Sequence, residues 1–220
     1  MRFPASLLLL TALASLGAAE NLVLNGSFEE ADPTDATQPN HWGRIDGLGV
    51  RWAPAPPDTA GVSAGKALRF DTSISERDMV ARWKAMGSTE WDVPDPATSP
   101  IGASYGLSLY SDAMPIKPAT PYLVTVRHRG PGGGKIWVRG YAKRGDAMKR
   151  VYEAQTELPA GKDWRETTYA FDPTRHTPQV TEVKIMLYAY WPAAESWFDD
   201  VGLRVATAEE LATEDARKKR

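Results

Sequence analysis

Alternate positions of one short stretch, Lys135 to Lys143, hold side chains suited to a polyhydroxylated ligand. In an extended chain Trp137, Arg139 and Tyr141 fall on one face, with Ile136, Val138 and Gly140 on the other. Thr181 to Tyr190 repeats the division: Val183, Ile185, Leu187 and Ala189 share one face, while Lys184, Met186, Tyr188 and Tyr190 lie opposite. An aliphatic face of this kind builds a core between two sheets, which leaves a row of rings and cations on the other side. Flat rings stack on the C–H surface of a sugar, and planar cationic donors reach its hydroxyls. The candidate carbohydrate-binding set is therefore Trp137, Arg139, Tyr141, Tyr188 and Tyr190. The same rings could instead pack beneath another element as a second small core, and that alternative stays open.

A second constellation lies at the two ends of the chain. Asn21 to Glu30 reads NLVLNGSFEE, a short apolar alternation predicting a strand, then a turn pair tolerant of positive φ, then a large ring beside two carboxylates. Ser196 to Val205 reads SWFDDVGLRV, an aromatic-rich strand with Asp199 and Asp200 ahead of Val201, Leu203 and Val205. If first and last strands lie side by side, Glu29 and Asp199 can share a cation. Calcium suits such a place, since its 6–8 oxygen ligands come from carboxylates and backbone carbonyls with no need of His or Cys. The alternative is a surface carboxylate cluster relieved by Lys66 or Arg69.

The pairing of N-L-V-x-N-G-x-F-E near the start with W-F-D-D-V near the end resembles the galactose-binding-like jelly rolls, notably carbohydrate-binding module families four, nine and twenty-two. Gly65 to Phe70 (GKALRF) and Lys117 to Tyr122 (KPATPY) resemble segments that lead into internal strands of that superfamily, so the likeness spans most of the chain. What the resemblance implies is an antiparallel β-sandwich that binds polysaccharide without catalysis. It also implies a structural calcium ion held end to end at Glu29 and Asp199, with Asn25 and Asp200 as lesser candidates.

The elements that must position these groups are mostly strands. Tyr105–Tyr110, Tyr122–Arg129, Lys135–Lys143, Lys149–Glu157, Arg165–Phe171, Thr181–Tyr190 and Trp197–Val205 follow one another with turn-rich separators, the spacing of an antiparallel sandwich. One departure interrupts them. Ser75-Glu76-Arg77-Asp78 is a helix start, and Met79, Val80, Trp83 and Met86 recur at helical spacing, predicting a helix from about Ser75 to Met86 with Trp83 on its core side. The loop that follows, with Trp91, looks like a cover for one end of the sandwich. Trp42 and Trp164 are expected in the core, and Trp52 either at a rim or turned inward.

Support for catalysis is thin. His41, His128 and His176 are scattered, and neither a serine elbow nor an H-E-x-x-H motif is present. The enzyme alternative is a β-jelly-roll polysaccharide lyase or hydrolase, with Tyr141 or Tyr188 moving a proton and Arg139 or Lys184 neutralising a uronate. A third reading is a cell-surface module for protein–protein contacts.

Composition bounds the rest. Arg2, an apolar run from Leu7 to Leu16 and the small residues Gly17 to Ala19 read as a secretory leader cleaved after Ala19, so the chain is expected outside the cell or in the periplasm. With 26 basic against 28 acidic residues, the charge balance supports neither nucleic acid nor an anionic membrane as partner. No cysteine is present, which excludes disulfides and thiolate metal sites. The expected organisation is a leader over 1–19, one sandwich over 20–205 and a polar tail over 206–220. The protein is expected to be a stand-alone monomer whose tail can be dispensed with, because TAEELATEDARKKR has a capping box but almost no apolar stripe.

Overall fold

The computed structural model describes residues 20–58, 65–87, 97–132 and 134–219; the leader and Trp91 lie outside these. Ten strands and two helices follow in order: β1 (Val50–Pro54), β2 (Lys66–Asp71), α1 (Glu76–Ala85), β3 (Leu107–Tyr110), β4 (Met114–Pro115), β5 (Tyr122–Gly130), β6 (Gly134–Arg144), β7 (Ala147–Leu158), β8 (Gly161–Phe171), β9 (Glu182–Ala189), β10 (Glu195–Val205) and α2 (Ala208–Lys218). They form two antiparallel sheets, one ordered β1-β2-β10-β5-β8, the other β3-β9-β6-β7 with β4 also paired to β9.

The predicted alternation decides which residues meet between the sheets. Ile136 and Val138 of β6 and Val183, Ile185 and Leu187 of β9 are buried, facing Leu68, Phe70, Val124, Val126, Phe198 and Phe171 of the other sheet. Fully burying each such side chain stabilises by about 1.5–3 kcal/mol, so the aliphatic face is the main source of stability. Trp42 is in this core, its ring 4.9 Å from that of Phe28. Helix α1 is capped by Ser75, whose hydroxyl accepts from the Asp78 amide, and it places Met79 in the same core with Trp83 half-buried against it, while Val80 is buried as well. Among the described residues no helix is long and apolar enough to cross a membrane.

Three sequence expectations need correction. The stretch from Asn21 to Phe28 runs beside the last strand, yet it is not itself a strand. Where β2 leaves β10 after Phe198, this segment takes over the vacated edge. The Leu22 amide donates to the Leu203 carbonyl, the Val201 amide to the Gly26 carbonyl, and the Leu203 amide to the Asn21 side-chain oxygen. An asparagine side chain thus replaces one rung of the ladder, and Asn25 and Phe28 adopt positive φ in a tight turn. Gly26 is required there because a Cβ would strike the Val201 carbonyl.

The tail is also not loose. It forms α2, which starts with a complete capping box at Thr207 and Glu210. Leu211 packs on Leu123, Ala170 and Ala206, on the outer side of the first sheet. Ion pairs replace the missing apolar stripe: Arg204 with Glu210 at 2.6 Å and Arg175 with Asp215 at 2.7 Å. Finally, Trp164 is half-buried outside the inter-sheet core, its indole N–H donating to the Pro56 carbonyl at 3.0 Å beneath Arg127. Trp52 turns inward, its N–H bonded to the Phe28 carbonyl.

Candidate functional site

The ring face is the outer side of the second sheet. Antiparallel pairing of β6 with β9 sets Lys135 opposite Tyr188, Trp137 opposite Met186 and Arg139 opposite Lys184. On the other flank β7 sets Glu157, Gln155 and Glu153 opposite Lys135, Trp137 and Arg139. Side chains of one face stand about 5 Å apart across such pairs, so the five candidates form one surface. Tyr188 and Tyr190 stack with ring centres 5.5 Å apart and planes 14° off parallel. The Arg139 guanidinium lies 4.2 Å from the Trp137 ring centre, and the Lys184 ammonium 5.9 Å from that of Tyr141.

Charge on this face is locally neutralised. Lys135 pairs with Glu157 at 2.8 Å, Arg139 pairs with Glu153, and the Tyr190 hydroxyl donates to Glu157. The Tyr188 hydroxyl donates to the Tyr105 carbonyl at 3.0 Å. Trp137 Nε1 and Arg139 Nε are buried donors with no acceptor among the described residues, a state that costs about 1–3 kcal/mol per group. Burial raises the Tyr141 and Tyr188 phenols above the ordinary tyrosine range, which keeps both protonated and phenolate scarce near neutral pH. Of the buried residues of helix α1, Met79 belongs to the inter-sheet cluster, whereas Trp137, Tyr141, Tyr188 and Tyr190 do not.

Of the end-to-end carboxylates, Asp199 lies at a bulge in β10. The register shift between Asp199 and Gly202 turns Asp199 inward and leaves Asp200 exposed at positive φ. Asp200 takes the Arg127 guanidinium at 2.9 Å, so the cation nearest Asp199 in sequence register is spent on its neighbour. Glu29 accepts the Lys66 amide at 2.9 Å. Burial, with Asp200 and Glu29 adding to it, pushes the Asp199 carboxyl up to about 7.

Neither cation expected to relieve this cluster does so. Arg69 pairs with Asp71 and Glu195, and the Lys66 ammonium sits 3.5 Å from the Trp52 ring centre. Asn25 is not free to serve as a ligand either, since its amide locks the turn: Nδ2 donates to the Glu30 and Asn40 carbonyls and Oδ1 accepts the Glu30 amide. No group of three or more His, Cys, Asp or Glu side chains gathers at a metal-binding spacing among the described residues. Any hard cation here would draw on Glu29, Asp199 and backbone carbonyls.

Two features escaped sequence reasoning. A cavity of about 450 Å³ lies between α1 and β3, with Trp83, Met86, Tyr105 and Leu107 on its walls and Arg44 and Asp46 at its polar side. The second is the β6–β7 hairpin tip, where Lys143, Arg144, Lys149 and Arg150 cluster. The signal for it was present as the run KRGDAMKR.

No protein-family profile and no curated protein sequence matches the chain. Solved structures do. A cyclase from Fischerella sp. TAU, solved in complex with 4-(1H-indol-3-yl)butan-2-one, superposes with a TM-score of 0.54 at 16% identity over 87% of this chain and 99% of its own. The enzymatically active domain of tailspike protein 4 of bacteriophage CBA120 gives 0.53 at 10% identity, over 84% of this chain and 21% of that one, so this chain spans about a fifth of its length. A family 16 carbohydrate-binding module gives 0.47 at 15% identity, over 83% of this chain and 99% of the module. Identities this low speak to fold alone. Two antiparallel sheets in this order, with the segment from Asn21 to Phe28 along the edge of the last strand, make the chain an antiparallel β-sandwich.

Proposed function

We propose that the protein is an exported, non-catalytic carbohydrate-binding module that holds polysaccharide on the outer face of the second sheet. The observation that carries this reading is the contiguous set Trp137, Arg139, Tyr141, Tyr188 and Tyr190, fixed on strands whose opposite side is fully spent on the core. Rings so held lose little conformational freedom when a sugar stacks on them. Calcium at Glu29 and Asp199 is proposed as a structural ion, remote from the sugar. A lyase on this face gains no support, since its base would be a phenol raised by burial and Arg139 is already held by Glu153.

A glycan array with wild type and Trp137→Ala, run beside thermal melts, tests the proposal. We expect the variant to lose about 1–3 kcal/mol of binding while keeping its melting temperature to within a few degrees. An array on which wild type binds nothing, together with a variant that melts far lower, would make the face a packing surface instead.

A further inference from the structure

The ring face does not end where the sheet does. Strand β9 accompanies β6 only as far as the pair Tyr141 and Glu182, whereas β6 and β7 continue as a two-stranded ribbon, pairing Ala142 with Lys149, Lys143 with Met148 and Arg144 with Ala147. Gly145 and Asp146 close it, and only Gly145 needs positive φ (+62°), as a two-residue turn of the II′ kind requires. A β-bulge at Gly140 and Tyr141, which sets Tyr141 opposite Arg150, lies where the ribbon leaves the sheet.

The ribbon holds four cations, Lys143, Arg144, Lys149 and Arg150, against one carboxylate, Asp146, and all five are exposed. Among the described residues no ion pair involves Lys143, Arg144 or Lys149, and the carboxylate nearest Arg150, Glu153 at 3.7 Å, is already held by Arg139. The contrast with the rest of the face is sharp, for Lys135 and Arg139 each have their own glutamate. Two strands without a third layer bury little, so packing gives no reason for this charge. Lys143 continues the alternation of Trp137, Arg139 and Tyr141, and Arg150 stands across from Tyr141, which places the unpaired charge of Lys143 and the weakly held charge of Arg150 in line with the rings, while Arg144 and Lys149 fall on the ribbon's other side. The near-zero net charge of the whole chain hides this local excess.

Resting on the carbohydrate reading above, we propose that the ligand is an acidic polysaccharide, with sugar rings on the tyrosines and Trp137 and carboxylate or sulfate groups taken by Lys143 and Arg150 on the same side, while Arg144 and Lys149 on the ribbon's other side add to the attraction. A membrane surface fits less well, because the ribbon's one large exposed apolar side chain is Met148 and an interfacial anchor needs a broad apolar face. Duplex DNA fits less well too, since bases stacked inside a duplex present no free face to the rings in line with the ribbon.

The test uses the whole protein, the triple variant Lys143→Ala/Arg144→Ala/Lys149→Ala and Trp137→Ala. The probes are polygalacturonate, heparin, a neutral β-glucan, phosphatidylserine vesicles and duplex DNA, each at low and high salt. We expect wild type to bind one of the acidic polymers with an affinity that falls as salt rises. The triple variant should lose about tenfold or more of that affinity and most of the salt dependence, with an unchanged melting curve. Full retention of acidic binding by the triple variant, or a wild-type preference for the neutral glucan, overturns the proposal. So does ribbon-dependent binding confined to vesicles or DNA. Acidic binding lost with the ribbon but kept in full by Trp137→Ala would sink the ring-face reading and leave the ribbon as the site.

Discussion

Two buried titratable side chains on neighbouring strands impose opposite pH slopes on stability. His128 packs against Phe198 in the core, and burial drives its pKa from 6.5 down to about 4. Between those values the unfolded chain takes up a proton that the folded chain refuses, so stability falls as the pH drops through that window. Asp199 works the other way. Its pKa rises from 3.8 to about 7, so the folded chain keeps a proton that the unfolded chain releases, and stability falls as the pH climbs. In chelator the two slopes should nearly cancel between pH 4 and 6.5. Asp199→Asn should expose a steep loss on the acid side, and His128→Gln a decline from acid towards neutral pH. Melting temperatures across pH check this, and parallel profiles for wild type and both variants would refute it.

At the scale of elements, legibility followed regularity. Strands β5 to β10 and helix α1 were readable because a period of two, or a capping serine followed by helical spacing, persisted over eight or more residues. Asn21 to Phe28 was misread because three alternating residues are too few, and because a side chain supplies one of its ladder bonds. The inward turn of Asp199 depends on a bulge, and the Arg139–Glu153 pair depends on a bulged hairpin register; neither has a local signature. Helix α2 was underrated for a related reason, since ion pairs formed with distant partners leave no periodic trace. Its contribution should be modest, because half-exposed ion pairs each contribute about 0.2–1 kcal/mol. Truncation after Ala206 should lower the melting temperature by about 2–6 °C, the scale of one or two kcal/mol in a domain of this size. Because the helix is held by charge, the difference should shrink in molar salt. Differential scanning calorimetry of both forms would show it, and an identical melt at low salt would mean that α2 docks without stabilising.

The whole molecule divides its two outer faces between different tasks. The first sheet is clasped by the chain's own ends: the N-terminal segment along the edge of β10, and α2 over Leu123 and Ala170. Among the described residues the second sheet's outer face carries the rings. Glu29 and Asp199 sit where the N-terminal segment, β2 and β10 converge, so an ion there would fasten the start of the chain to its last strand. An ion bound only in the folded state stabilises by mass action, about 2.7 kcal/mol at a hundredfold excess over its dissociation constant. Chelation of wild type should then lower the melting temperature by about 5–10 °C. Calcium must also displace the proton that Asp199 holds up to about pH 7, so the shift it produces should be larger at pH 8 than at pH 5. Asp199→Asn should abolish both the chelator response and its pH dependence. A response that survives in that variant would move the ion elsewhere, and its absence in wild type would leave the buried carboxylate protonated as the only device that settles this junction.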